Sequence, residues 1–181
     1  TFGWAAGTFW VKIGLSVVAV TLYSLLWQRP AIRVRLSSLA IGTLSAAALY
    51  LLFFAGNWLA PLIVPGAQAQ VGGIYSLGEG TDRLLICLLL LFVTGPGEEI
   101  FWRGFLQDRL TKRWGNMPGF LVTTAVYAGV HVFSLNLILI LAALVAGAFW
   151  GLLYVWRRDI FVQIVSHSLW SAVIFAVAPI R

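Results

Sequence analysis

The sequence predicts an all-α membrane protein, a polytopic bundle of about six transmembrane helices forming a single embedded domain over residues 1–181. Three observations predict it. Hydrophobic residues make up 61% of the chain and charged residues 10%, far short of the roughly one quarter that a water-facing surface uses. Apolar runs of about 20 residues, long enough to cross a ~30 Å hydrocarbon core as helices, recur with only short polar breaks. Basic residues, finally, collect in every second break and are missing from the others.

The expected spans are Ala5 to Trp27, Leu36 to Ala60, Arg83 to Leu106, Pro118 to Phe133, Leu137 to Trp156 and Ile160 to Ala178. Between the first two lie Arg29, Arg33 and Arg35. Between the third and fourth, in an expected loop from Gln107 to Met117, lie Arg109, Lys112 and Arg113. The last tight turn carries Arg157 and Arg158. By contrast Pro61 to Asp82, expected to be flexible or laid on the outer surface, holds two acids and no base, and Ser134 to Asn136 holds no charge. Eight of the twelve basic residues therefore mark one side, the cytoplasmic one by the positive-inside rule, with both chain ends outside. Trp27, Trp114 and Trp156 flank the basic breaks as interfacial anchors, and the other Trp and Phe residues are expected to be almost all lipid-facing. The chain begins at Thr1 without a methionine, which points to sequence upstream, and no signal peptide is visible.

The net charge of +6 does not point to nucleic acid, because the bases sit in short clusters and form no contiguous patch with exposed aromatics. The single cysteine, Cys87, excludes an internal disulfide and is expected to be an inert buried thiol. Lys12, just inside the first span, is placed to snorkel to the outer interface. Ala143, Gly147 and Gly151 recur every four residues, a small-residue stripe for close approach of another helix.

Ionisable groups inside spans are costly, and few occur here. Glu79, Asp82, Asp108 and Asp159 fall in or beside breaks, which leaves Glu98, Glu99 and Arg103 on the third span, His131 on the fourth and His167 on the sixth. Glu99 and Arg103 are four apart and share a helix face, while Glu98 lies about 100° away with its carboxylate free for another task. Tyr127 precedes His131 by four residues, and Ser171 follows His167 by four. Gly95-Pro96-Gly97 is expected to break or kink the helix and leave free N–H groups near the carboxylates. Irregular backbone at this depth requires protein or a water-filled cavity around it.

Glu98-Glu99-Ile-Phe-Trp-Arg103-Gly104 resembles the EExxxR motif of the CAAX prenyl protease and bacteriocin-processing (CPBP, or abortive-infection) intramembrane proteases. Tyr127-Ala-Gly-Val-His131 is similar to their FxxxH motif, with Tyr for Phe. Gly147 to Tyr154 looks like the glycine-rich helix that follows, and His167-Ser-Leu-Trp-Ser171 resembles the third motif, with Ser171 where the family has Asn or Asp. The resemblance covers about residues 84–174. It implies hydrolysis of a peptide bond in a membrane-associated or lipid-modified peptide, or a membrane-protein substrate, by activated water. A carboxylate in a poorly solvated pocket can act as general base, a histidine across it can orient the water, and a His with a hydroxyl can stabilise an oxyanion. The roles expected are Glu98 as base with His131, His167 and Ser171 as oxyanion donors, and Glu99 with Arg103 as a pair fixing the glutamate helix.

Whether a cofactor is needed stays open. His131, His167 and Glu98 could hold a divalent metal such as zinc with an open water position, although no HExxH spacing is present, and a metal-free glutamate mechanism is slightly preferred. A catalytically silent scaffold that binds membrane partners and, more remotely, a proton-coupled transporter are the rival functions. The lack of long loops suggests a prokaryotic plasma membrane. One geometric difficulty remains: counted from the basic ends at ~1.5 Å per residue, His167 lies about 11 Å deep, Glu98 about 12–14 Å and His131 about 20 Å, so a displacement of the glutamate helix at Pro96 is expected.

Overall fold

The computed structural model of the chain describes residues 9–180. Thr1 and the first four residues of the first expected span, 5–8, lie outside them. Among the described residues there are seven helices and no strand: α1 (Phe9–Trp27), α2 (Leu36–Ile63), α3 (Ala67–Ser76), α4 (Arg83–Trp114), α5 (Asn116–Ser134), α6 (Leu137–Arg157) and α7 (Ile160–Val177). All but α3 are long and apolar enough to cross a membrane. The chain is a multi-pass integral membrane protein.

The helix ends follow local chemistry. Asp82 caps α4 by accepting from the Leu85 amide at 3.0 Å, Asn136 caps α6 by accepting from Leu139 at 2.9 Å, and Asp159 caps α7 by accepting from Phe161 at 2.9 Å. Such caps satisfy amides that a helix start leaves without partners. Gly115, at φ +91°, stops α4 and turns the chain directly into α5, and a Cβ on Gly119 would sit 2.6 Å from the Thr111 amide, so this hairpin is closed as tightly as glycine allows.

Burial ranks the helices. Just over half of the α7 span (56%) is buried within the protein, against 22–39% for the other five spans. Helix α7 is therefore the central post and α1 and α2 the most lipid-exposed, with Leu15, Leu26, Leu44 and Leu62 turned outward. Glycines let the neighbours touch it: a Cβ on Gly42 of α2 would meet Val165 at 2.6 Å, and one on Gly95 of α4 would meet the Ser168 backbone at 2.8–2.9 Å as well as its hydroxyl. Backbone cannot move aside as a side-chain tip can. Gly95→Ala is expected to separate α4 from α7 and destabilise the protein by ~1–3 kcal/mol, the usual penalty of overpacking, read as a lower thermal unfolding midpoint in detergent.

Five expectations are corrected. Gly95-Pro96-Gly97 does not end a helix, and no free amides face the glutamates. The preceding turn, Leu90–Thr94, is π-helical, and the Gly95 amide reaches back to the Leu90 carbonyl. The wider turn makes room for the proline ring, which would clash with the carbonyl four residues earlier in a regular helix. A second π-helical turn, Trp102–Gln107, follows. Next, α4 runs on to Trp114, so Arg109, Lys112 and Arg113 lie on its last turns and not in a loop; Lys112 pairs there with Asp108 at 2.5 Å. Third, Pro61–Asp82 is not all loop: α2 continues past Pro61 to Ile63, and α3 forms a further short helix, held to the α6 start where Asn136 Nδ2 donates to the Gln70 carbonyl at 2.9 Å. Fourth, several aromatic residues expected in lipid are core. Trp150 is fully buried, and Trp10 and Trp102 are nearly so. Cys87, expected to be buried, is partly exposed.

The extension of α4 removes the depth difficulty. Glu98 lies sixteen residues before Trp114 and His131 fifteen residues after Asn116, so the two arms of this hairpin carry them about 24 Å and 22 Å from its closed end. The α6–α7 turn sits at the level of Asp108, which faces Arg158 at 3.8 Å, and nine residues further on His167 comes level with the glutamates.

Candidate active site

The polar face of α4 is a ladder at four-residue spacing: Glu99, Arg103 and Gln107, all buried to 1% exposure or less. Arg103 Nη1 donates to Glu99 Oε1 at 2.8 Å, and Nη2 donates to the Gly147 carbonyl at 3.1 Å. Gln107 Nε2 donates to the Gly151 carbonyl at 2.9 Å. The small-residue stripe of α6 thus serves two ends. Its glycines receive the rings of α5, since a Cβ on Gly147 would sit 2.9 Å from Tyr127 and one on Gly151 would sit 2.7 Å from Phe120, and its carbonyls receive the polar side chains of α4. In hydrocarbon, where no water competes, buried polar groups need such partners.

His167 joins the ladder from α7, its Nδ1 lying 2.7 Å from Glu99 Oε1. That oxygen also holds Arg103, and a carboxylate so engaged only accepts, so Nδ1 carries the proton. The indole of Trp150 lies flat on the imidazole, 3.9 Å between centroids and 16° between planes, and is itself fixed where its Nε1 donates to Ser166 Oγ at 3.1 Å. Glu99, Arg103 and His167 form one closed cluster drawn from α4 and α7 and covered by α6.

Glu98 and His131 belong to a different surface. They line a cavity of about 1110 Å³ between the helices, together with Tyr127, Trp102, Trp170 and Ser171, in a wall that is otherwise mostly apolar. Glu99, Arg103 and His167 are not part of that wall. Tyr127 Oη donates to Glu98 Oε2 at 3.2 Å, and His131 Nδ1 lies 2.8 Å from the Tyr127 carbonyl. A carbonyl cannot donate, so Nδ1 carries the proton here too, and Nε2 is the nitrogen left for chemistry.

The six residues singled out by the sequence thus fall into two adjoining groups, Glu98, His131 and Ser171 on the cavity and Glu99, Arg103 and His167 behind it. Only the first group faces the cavity. Ser171 also differs from expectation: its hydroxyl donates to the His167 carbonyl at 2.7 Å on its own helix, as serine commonly does within a helix, and must rotate to serve anything in the cavity. Gln107 and Trp150 were not singled out at all. Gln107 had a signal, since 99–103–107 matches the spacing of 147–151 on the partner helix; Trp150 had none, because an indole among leucines reads the same in lipid as in core.

The metal alternative does not fit the donors present. Among the described residues no three His, Cys, Asp or Glu side chains come together in a way that could hold a metal ion. Of the three candidates, His167 gives Nδ1 to Glu99 while Glu98 and His131 stand on the cavity wall. No step below runs through a metal.

Comparison with curated proteins and with solved structures gives no match. A family model does match, over residues 80–173, a stretch that holds all three motifs, both π-helical turns of α4 and every residue of both groups. That stretch is just over half of the chain, which belongs to the family described as type II CAAX prenyl endopeptidase, Rce1-like, a family of peptidases.

Proposed function

We propose that the protein hydrolyses a peptide bond in a membrane-associated or lipid-modified peptide, with Glu98 as the general base. The observation that carries this reading is the pairing of Glu98 and His131 on the wall of a large, mainly apolar cavity. A hydrophobic chain or a lipid modification can lie along the apolar wall and bring an adjacent peptide bond to the one carboxylate and the one imidazole that face it. Glu98 takes a proton from water as that water attacks the carbonyl carbon. His131, anchored through Nδ1, presents Nε2 to orient the same water and to pass the proton towards the leaving amine. Ser171, with its hydroxyl rotated out of the helix, is the donor for the oxyanion, while His167, whose Nδ1 proton is engaged by Glu99 behind the wall, offers the cavity no donor. Glu99 and Arg103 touch no reacting atom in this scheme; they fix α4 and the His167 ring. The preferred mechanism uses no metal. We assign the basic end of the bundle to the cytoplasmic side, following the distribution of Arg and Lys.

The test is cleavage of a farnesylated CAAX peptide and of the same peptide without lipid by the purified protein in proteoliposomes. The lipidated peptide is expected to be cut, His131→Ala to lower the rate by at least ~100-fold, and a strong chelator to leave it unchanged within about two-fold. Full activity in His131→Ala would overturn the assignment of the pair, and loss of activity on chelation restored by zinc would overturn the metal-free mechanism.

A further inference from the structure

We propose that Tyr127 is a positioning residue that sets the distance and orientation between Glu98 and His131; this rests on the reading of Glu98 as base. Its two polar groups reach both members of the pair, the hydroxyl donating to Glu98 Oε2 at 3.2 Å and the carbonyl holding His131 Nδ1 at 2.8 Å. One residue of α5 therefore ties a carboxylate on α4 to an imidazole one turn further along its own helix. A donor on Oε2 also fixes which oxygen of Glu98 is left for the water.

The side chain is held firmly enough to do this. Tyr127 is 6% exposed. Its ring meets Trp102 edge-on at 5.1 Å, and the Arg103 guanidinium lies 5.2 Å from its centroid. The missing side chain of Gly147 leaves the space it occupies, since a Cβ there would come within 2.9 Å. A ring packed on several sides can neither swing nor retreat, so the hydroxyl has one place to be, and a buried phenol needs a hydrogen-bond partner. That partner is Glu98. Phenylalanine would fill the same space and leave the carboxylate without this donor, so the hydroxyl of Tyr127 provides a constraint that the related FxxxH pattern lacks.

The experiment is Tyr127→Phe in the proteoliposome assay, with kcat and KM determined separately and thermal unfolding followed in parallel. Hydrogen bonds to charged groups are the stronger class, and a loose base misses its attack geometry, so kcat is expected to fall about ten-fold with KM within two-fold and the unfolding midpoint little changed. Tyr50→Phe, which removes a hydrogen bond between two residues that do not line the cavity, Tyr50 and the Ala178 carbonyl, is expected to keep the wild-type kcat. Unchanged or increased kcat in Tyr127→Phe, or a change confined to KM, overturns the proposal. Glu98→Gln in the same preparation separates the two levels. If Glu98→Gln is inactive while Tyr127→Phe is normal, only the positioning role fails; if Glu98→Gln is active, the general-base reading fails and takes this role with it.

Discussion

Glu98→Gln is expected to lower kcat by ~10²–10⁴-fold, the range that a positioned general base contributes, without unfolding the protein. The substitution preserves shape, and the amide oxygen can still accept from Tyr127 Oη. What disappears is the ability to take a proton from water. Because Glu98 is partly exposed on the cavity wall and is not sealed in the core, neutralising it leaves no buried charge unpaired. Turnover of a fluorogenic membrane peptide and the unfolding midpoint are the two measurements, and they should separate cleanly: activity lost, stability kept. Residual activity within ten-fold of wild type would mean that the proton goes elsewhere. Glu99 is a poor substitute, since its Oε1 already holds both Arg103 and His167 inside the closed cluster.

Arg103→Met should show the opposite pattern, destabilisation first and loss of activity as its consequence. Removing one partner of a buried ion pair leaves the other charged and unsolvated, typically at ~3–5 kcal/mol. Here the fork of Arg103 also holds the Gly147 carbonyl and lies against the rings of Tyr127 and Trp150, so α4, α5 and α6 all lose a shared contact. Arg103→Lys should recover only part of this, because a single ammonium cannot reproduce two bonds in fixed directions. Arg103→Met combined with Glu99→Gln should be more stable than Arg103→Met alone, since the abandoned charge is then gone. Unfolding by denaturant in mild detergent would measure all three variants. A single variant as stable as the wild type would show that the pair is idle.

The spans were legible in the sequence because lipid and the uneven distribution of basic residues impose the same boundaries. The Glu99–Arg103 pair was legible as well, since spacing on a continuous helix dictates which side chains meet. Other parts were not. The stretch from Gln107 to Trp114 looks like a polar loop because charges cluster there, yet those charges decorate the last turns of α4, where the helix leaves the apolar layer. That misassignment also put Glu98 at the wrong level relative to His131. The division of the glutamates, one on the cavity and one behind it, follows from which face of α4 meets α7 and α6, a matter of packing that periodicity cannot decide. The hydroxyl of Ser171 turns on a rotation about one bond, and nothing in the order of residues expresses it.

The two wide turns of α4 have a consequence for how this helix tolerates change. Each turn accommodates one residue more than its neighbours, so together they act as slip joints on either side of the seven-residue piece Gly95–Phe101. Deleting one residue at Trp102–Gln107 would let that joint tighten, with the glutamates still meshed against α5 and α7, whereas Leu90–Thr94 must stay wide to clear the ring of Pro96. The same deletion between Gly95 and Phe101 has no slack to draw on, and it would wheel either the carboxylates or Arg103 about 100° round the axis. Length variation in this helix is thus permitted at the second joint and forbidden between the two.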